Sequence, residues 1–264
     1  MSRPRIGSRS SHVGAAALSL ALFVAAPAAA RAQGAGNGFL LGTPVGSLTI
    51  RGGYDHANAG SDIFNDPQTI GQLTLKKSDF SSPSAMADIG VRISDRFDFI
   101  LGTAYAGMRK QSEYRDFAEG ADNKPIVQST TFQRVPITGS LRMYLTPRGR
   151  SVGRFAWIPS KVAPYVGGGG GFMWYRFRQS GDFVDFTSPD RNSMRIFTTT
   201  YESSNWTAEG HAFAGLDYTI TPRLALTGET RYTFGRAPLS SSFAGFHRID
   251  LSGIATTAGL AVRF

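Results

Sequence analysis

Residues 253–264 read Gly-Ile-Ala-Thr-Thr-Ala-Gly-Leu-Ala-Val-Arg-Phe and end the chain. Every second residue from Ile254 to Phe264 is apolar except Thr256, whereas the intervening residues are small or polar and include Arg263. Because successive side chains of a β-strand point to opposite faces, this pattern predicts a strand with one apolar face. Such a face lies either against lipid, as in a membrane barrel, or in the core of a soluble β-sandwich.

The same two-residue period recurs in seven further segments of the chain. We expect strands at about 45–55, 85–94, 97–109, 131–145, 163–178, 206–218 and 224–234. Apolar residues facing outward and polar residues facing inward are the pattern of a transmembrane barrel. The sequence therefore predicts an all-β fold, an eight-stranded antiparallel up-and-down transmembrane β-barrel. Segments 72–77 and 196–202 could add a further pair, which leaves ten strands open.

The polar faces of these strands carry charged side chains that we expect to meet inside the barrel. The predicted lumen network comprises Asp88, Arg92, Arg142, Glu209, His211, Glu229 and Arg231. An eight-stranded barrel is only wide enough for its own side chains, and buried charges need partners. We therefore predict a closed lumen with internal ion pairs, without a catalytic group, a cofactor or a metal ion.

The connections between the strands are short on one side and long on the other. Short turns are expected at 93–97 and 220–224, and long polar loops at 56–84, 110–130, 179–204 and 236–248. This asymmetry is that of periplasmic turns and extracellular loops. The connector 147–161 is an exception, because it is long on the turn side and contains Trp157. We expect it to make an interfacial or periplasmic contact.

Two strands contain residues that disturb a regular ladder. Pro136 has no N–H to donate, so we expect its strand either to begin after it or to form a bulge there. Gly167 to Gly171 are five glycines in a row, followed by neither a Lys-Ser/Thr pair nor a helix, which argues against a phosphate-binding loop. We expect these glycines to make room for bulky side chains of neighbouring strands.

The first 32 residues have the features of a secretory signal peptide. Arginines at positions 3, 5 and 9 precede an apolar run from Val13 to Ala26, and the run is followed by the small-residue site Ala30-Arg31-Ala32. We expect cleavage after residue 32, then a short lead-in at 33–44 and the barrel at 45–264. Loss of the four signal arginines lowers the formal charge from +9 to +5. The remaining basic residues are scattered, so we expect no nucleic-acid partner.

The ending Gly259-Leu260-Ala261-Val262-Arg263-Phe264 resembles the C-terminal assembly signal of outer-membrane barrels, in which a terminal Phe264 follows apolar residues such as Leu260 and Val262 at alternate positions. Together with Pro164-Tyr165-Val166-Gly167-Gly168-Gly169 and Tyr218-Thr219-Ile220-Thr221-Pro222-Arg223-Leu224, it makes the chain resemble the small OmpA/OmpX-like outer-membrane β-barrel family over residues 45–264. The resemblance implies export, periplasmic chaperones, insertion by the outer-membrane assembly machinery, and outer-membrane lipids and lipopolysaccharide as surroundings. It implies no single activity, because the family is functionally mixed.

Three functions remain open at this point. The first is a non-enzymatic envelope protein of a Gram-negative-type bacterium, whose surface loops serve binding or adhesion. The second is a narrow pore or transporter for small solutes. The third is a lipid-modifying hydrolase. Neither His211 nor His247 is followed two residues later by the serine that similar lipid A deacylases carry, although Glu209 and His211 could form a site with a neighbouring Ser or Thr.

Overall fold

The computed structural model describes residues 38–65, 70–119, 124–153, 155–184 and 196–264, without the side chains of 71 and 116–119. The predicted signal peptide, residues 1–32, lies outside these ranges, as does the start of the lead-in. No helix within them is long and apolar enough to cross a membrane.

Strands make up most of the described chain. In order they are β1 (Leu40–Leu41), β2 (Gly46–Ala57), β3 (Ser82–Arg92), β4 (Phe97–Glu119), β5 (Lys124–Tyr144), β6 (Gly149–Val152), β7 (Ala156–Pro159), β8 (Val162–Val184), β9 (Ile196–Thr219), β10 (Leu224–Ala237), β11 (Ile249–Asp250) and β12 (Gly253–Arg263). Single 3-10 turns occur in the connections at Asp62–Phe64, Ile70–Gln72, Lys77–Phe80 and Ser241–Phe243.

Eight of these strands form a closed antiparallel ring in the order β2, β3, β4, β5, β8, β9, β10, β12. The C-terminal strand β12 pairs with β10 and with β2, and its register to β2 runs from Arg263–Ser47 to Gly253–Ala57. The pairing of β12 with β2 therefore closes the ring between the two ends of the barrel sequence. The ring confirms the predicted fold class. It excludes the β-sandwich alternative, because a sandwich consists of two separate sheets.

The ten-stranded alternative is wrong for the described chain. Residues 196–202 form the beginning of β9, and residues 72–77 contribute only an isolated bridge between Leu73 and Tyr114. Neither segment adds a strand to the ring.

The two faces of the barrel wall differ in polarity as predicted. On β12 the outward residues Ile254, Leu260 and Val262 are exposed, whereas the inward Ala255 and Thr257 are buried. The other strands repeat this arrangement and surround the barrel with an exposed apolar belt. An apolar belt on a closed strand ring is stable only in a bilayer, and barrels of this type lie in bacterial outer membranes.

The longest hairpins extend well past the belt. Strands β4 and β5 continue to Glu119 and Lys124, and β8 and β9 continue to Val184 and Ile196. Residues 110–119, 124–130, 179–184 and 196–204 are therefore strand, and their prediction as loop is wrong. Because the outer face of this extension meets water instead of lipid, its residues need no apolar alternation, and the pattern that identifies the other strands is missing there.

Strand β5 passes through Pro136 without a bulge, so the prediction of a break or bulge is wrong. Pro136 is paired with Met173 of β8, and the register is constant along that ladder. On the β4 side, the pairs Thr103–Ile137 and Ala106–Arg134 keep one register, while the positions between them are unpaired. The missing N–H thus interrupts the ladder only locally, and Thr103 Oγ1 donates to the Pro136 carbonyl at 2.9 Å.

The first glycine of the β8 run makes room for a side chain, whereas a Cβ at Gly168 to Gly171 would meet backbone atoms of the neighbouring strands. A Cβ at Gly167 would collide with the ring of Phe213 on β9, and a Cβ at Gly215 would collide with the ring of Tyr165 on β8. Two aromatic rings inside the barrel therefore lie over glycines of the neighbouring strand.

Candidate functional site

An ion-pair network occupies the middle of the barrel, and Arg51 of β2 lies at its centre. Its guanidinium contacts Asp88 on β3 and donates from Nη1 to Glu229 Oε2 on β10 at 2.8 Å. Glu229 also accepts from Arg231 Nη2 at 3.0 Å and from the Tyr165 hydroxyl at 3.1 Å. These five side chains are buried and connect four strands across the lumen.

Positive charge exceeds negative charge at this centre. Arg142 lies 3.8 Å from Glu229 and stacks on Tyr165, with its guanidinium carbon 4.3 Å from the ring centroid. Three guanidiniums therefore surround Glu229, while Asp88 neutralises only Arg51. Buried ion pairs of this kind contribute little net stability over an apolar core, but removal of one partner leaves an uncompensated charge.

A second polar chain runs beside the network. Glu209 Oε1 lies 3.0 Å from His211 Nδ1, and His211 Nε2 lies 2.7 Å from the Ser140 hydroxyl oxygen. With a proton on Nδ1 donated to the carboxylate, Nε2 accepts from the Ser140 hydroxyl. This order of acid, imidazole and hydroxyl is that of a nucleophile activated by a general base.

The surroundings of this Ser–His–Glu chain are closed. Ser140, His211 and Glu209 are all buried. The cavity that Glu209 and Thr138 line has a volume of about 30 Å³. That volume holds about two water molecules but no acyl chain.

The outer end of the lumen is filled by aromatic side chains from the wall and the loops. Phe64 and Phe80 of the first long loop pack against Phe132 and Phe177 of the wall, with 4.6 Å between the Phe64 and Phe80 ring centroids. Phe243 of the last long loop lies 5.3 Å from Phe177. These five rings form the core of what we call the outer plug.

The two loops of the outer plug are joined by hydrogen bonds. Asp62 Oδ2 accepts from the His247 backbone N–H at 2.9 Å and lies 2.7 Å from His247 Nδ1. The His247 N–H bond is the main cause that lowers the pKa of Asp62 below its usual value. The Gly60 N–H donates to Asp250 Oδ2 at 3.0 Å and makes a second connection between these loops.

The inner end is closed by the connector between β5 and β8. Strands β6 and β7 form a hairpin, β1 pairs with β7, and Trp157 on β7 is buried. Trp157 lies below the guanidinium of Arg263, whose carbon is 6.0 Å from its ring. Arg148 anchors the hairpin by donating to Asp98 of β4 at 2.6 Å. We call this sheet of β1, β6 and β7 the inner cap. Through it, the connector 147–161 contacts the inner end of the barrel.

The structure places the predicted network residues in three locations. Asp88 and Glu229 contact Arg51, and Arg142 and Arg231 contact Glu229. Glu209 contacts His211, which contacts Ser140. Arg92 ends β3 at the turn side, where it pairs with Asp95 at 2.5 Å and lines a small cavity at the inner end of the lumen together with Arg142.

Two central residues, Arg51 and Ser140, are absent from the predicted set. The two-residue period assigns both to inward faces, and this signal alone could have found them. No group of three or more His, Asp or Glu side chains within the described ranges is arranged to hold a metal ion.

No model of a known protein family matches the chain, and no curated protein sequence matches it either. Among solved structures, it is similar to Neisserial surface protein A, with 15% identity, coverage of 86% of this chain and 98% of that one, and a TM-score of 0.41. It is similar to the outer membrane protein OprG from Pseudomonas aeruginosa, with 17% identity, coverage of 85% and 99%, and a TM-score of 0.41. It is also similar to Ail, the attachment invasion locus protein of Yersinia pestis, with 14% identity, coverage of 83% of this chain and 99% of that one, and a TM-score of 0.40.

The assignment of the fold rests on the closed ring, and no ligand or activity is carried over from these proteins. A ring of eight antiparallel strands is the architecture of the small OmpA/OmpX-type barrels. The resemblance predicted from the C-terminal strand is therefore confirmed at the level of the fold.

Proposed function

We propose that the protein is a non-conducting, non-enzymatic barrel of the bacterial outer membrane that presents an ordered binding surface at its extracellular end. The observation that carries this proposal is the filling of the lumen along its length. The outer plug, the network around Arg51 and the inner cap follow one another through the barrel. In an eight-stranded barrel, such side chains leave no continuous water path.

Conductance in planar bilayers tests the closed lumen. We expect purified protein to give no stable channels under conditions in which a general porin, reconstituted in parallel, gives regular steps. A variant without the plug contact, Phe64→Ala with Phe243→Ala, leaves the central network intact and should also be silent. Stable, voltage-independent steps from the unaltered protein would favour the pore or transporter function instead.

The extension of β4, β5, β8 and β9 is the candidate binding surface. The pair Gln128–Gly181 joins the two hairpins into one sheet beyond the belt. A sheet of this length is not needed to span a bilayer, since about 9 to 11 residues per strand suffice. Its rigid β-structure suits recognition, because a preformed surface loses little entropy when a partner binds.

A shortened hairpin tests this role. Replacement of residues 181–199 by Asn-Gly keeps the pair Ser180–Thr200 as the closing pair of a two-residue turn. We expect the shortened barrel to keep its heat-modifiable mobility on gels, and bacteria that display it to adhere less to epithelial monolayers than bacteria with the full hairpin. Equal adhesion would remove this hairpin from the binding surface.

We also propose that lipopolysaccharide and the outer-membrane assembly machinery are partners, with periplasmic chaperones during export. Leu260, Val262 and Phe264 are exposed on the outer face of β12, which makes them accessible to an assembly factor before insertion. Phe264→Ala should lower the amount of heat-modifiable barrel in the outer-membrane fraction. Unchanged recovery would remove the assembly role of Phe264.

A hydrolase is the second candidate function, and the Ser140–His211–Glu209 chain is the observation that favours it. An active serine would react with a fluorophosphonate probe, and Ser140→Ala would abolish the labelling. We expect no labelling, because the cavity beside Glu209 does not admit a substrate. Labelling of Ser140 in the folded barrel would favour the hydrolase function over the non-enzymatic one.

A further inference from the structure

Arginines lie directly above the extracellular edge of the apolar belt on one side of the barrel. On the outward faces of β5, β8 and β9, the belt ends at Val135, Trp174 and Trp206, which are neighbours across these strands. Tyr105 ends it on β4 and is exposed. Aromatic residues of this kind are typical of the headgroup level of a membrane.

The next two outward positions along β8 are basic, and so is the second outward position beyond Tyr105 on β4. Arg176 follows Trp174 on β8 and is paired with Gln133 of β5, and Arg178 follows and is paired with Thr131. Arg109 of β4 is the partner of Thr131 on the other side. The three arginines therefore lie on two strands, β4 and β8, on either side of β5, one or two outward positions above the aromatic girdle.

These side chains line one depression in the outer surface. Its volume is about 340 Å³, and Tyr105, Thr131 and Gln133 complete the wall that Arg109, Arg176 and Arg178 form. Hydroxyl and amide groups beside guanidiniums suit an oxyanion. The depression opens outward toward the lipid headgroups, on the opposite face of the wall from the lumen.

One carboxylate partly neutralises the cluster. Glu202 of β9 lies 2.9 Å from Arg176 Nε and 3.8 Å from Arg178 Nε. Arg109 donates instead to the neutral Ser129 hydroxyl at 3.0 Å. Three guanidiniums against one carboxylate leave a formal charge of +2 in the depression, which makes it complementary to an anion.

We propose that this depression binds the phosphate groups of a phosphorylated glycolipid of the outer leaflet, the lipid A part of lipopolysaccharide. Guanidinium groups bind phosphate bidentately and remain charged at all relevant pH values. The acyl chains of the lipid would lie along the belt beside Phe172 and Trp174, and its phosphates would lie at the height of the arginines. The proposal rests on insertion in the outer membrane and is independent of whether the lumen conducts.

The test measures lipid A binding to the detergent-solubilised barrel by the fluorescence of the tryptophans at the girdle. Arg109→Gln/Arg176→Gln/Arg178→Gln should weaken binding of bisphosphorylated lipid A by about tenfold or more. The matched control Arg96→Gln/Arg150→Gln/Arg223→Gln removes the same charge from exposed arginines at the turn end and should bind normally. Glu202→Gln removes the competing carboxylate and should tighten binding, which keeps the test decisive where the triple variant folds poorly.

Two further probes separate the lipid from a simple anion. Lipid A without phosphates should bind weakly to the unaltered barrel, and inorganic phosphate should displace bisphosphorylated lipid A only at far higher concentration. Equal binding by the triple variant and its control would overturn the proposal. Displacement by inorganic phosphate at concentrations comparable to the lipid would also overturn it, because the depression would then be an anion site without selectivity for lipid.

Discussion

Arg51 pairs with both carboxylates of the central network, Asp88 and Glu229, and its loss tests whether the network stabilises the barrel. In Arg51→Ala, Asp88 loses its guanidinium and Glu229 keeps only Arg231 and the more distant Arg142. Removal of one partner from a buried ion pair costs about 3–5 kcal/mol of unfolding free energy. Urea-induced unfolding in lipid vesicles, followed by tryptophan fluorescence, measures this loss.

Arg92→Ala is the matched control for this measurement. Arg92 also belongs to a barrel strand, but its partner Asp95 is almost fully exposed. An ion pair with one partner in solvent is screened by water, and we expect it to contribute about 1 kcal/mol or less. Equal losses of unfolding free energy in the two variants would mean that the central network does not stabilise the barrel more than a pair at the turn end does.

The contact between Asp62 and His247 should depend on pH. The pKa of Asp62 is lowered in the folded protein, chiefly by the backbone N–H of His247. A carboxyl with a lowered pKa stabilises the folded form above its unfolded pKa of about 4, and this contribution is lost as the pH falls through the folded value. The amide proton of His247 should therefore shift in NMR spectra only in the acid range, below about pH 4.

Asp62→Asn provides the reference for that titration. The amide of this variant retains an acceptor but no titrating group at position 62, so the His247 signal should not move over the same range. A titration that persists in Asp62→Asn would assign the shift to another group of the outer plug.

At the scale of the strands, Gly167 in the glycine run of β8 is required by the Phe213 ring that lies over it. Gly167→Ala would place a Cβ against both the Phe213 ring and the Leu141 carbonyl oxygen of the neighbouring strand. Because the backbone cannot withdraw, we expect a loss of about 1–3 kcal/mol, typical of overpacking. Thermal unfolding in detergent gives the comparison.

Gly228→Ala is the control at the same kind of position, a glycine in the middle of a barrel strand. A Cβ there meets nothing within 4 Å, so the substitution should be neutral or slightly stabilising. Similar losses at both glycines would show that strand flexibility, and not the space for Phe213, is what the glycine run provides.

The strands were predictable wherever the bilayer requires apolar residues to alternate with polar ones. Leu226 and Leu260 face lipid and Glu229 faces the lumen, so a period of two is visible in β10 and β12. In the extension of β4, Gln111 and Glu113 face water on the outer side, and the sequence there resembles a polar loop. The inner cap was missed for a related reason, because β6 and β7 are too short for a periodic pattern to appear.

The site was predictable in its composition but not in its contacts. Inward-facing charges such as Glu229 and Arg231 follow from the period, and an eight-stranded lumen forces them together. Which of them meet depends on the stagger of the strands around the ring. Arg51 and Glu229 are 178 residues apart, and Ser140 and His211 are 71 apart, so no local pattern relates the members of either pair.

At the scale of the whole molecule, the three tryptophans of the chain report separately on its depth in the membrane and on its closure. Trp206 lies on the outer face at the girdle and is half exposed, whereas Trp157 is buried in the inner cap. With one of them kept and the other two replaced by phenylalanine, brominated lipids should quench Trp206 most strongly when the bromine is near the headgroup. The same lipids should leave Trp157 unquenched at every bromine depth, because the hairpin and Arg263 separate it from lipid.

The pattern of quenching distinguishes the possible arrangements of the barrel. Quenching of Trp206 by bromine near the bilayer centre would place the girdle, and with it the arginine depression, inside the hydrocarbon instead of at the headgroups. Quenching of Trp157 would mean that the inner cap opens and exposes its core to lipid, which would remove one of the two closures on which the non-conducting function depends. Acrylamide, a water-soluble quencher, should likewise leave Trp157 unaffected, because a cap that seals the lumen excludes water from the same ring.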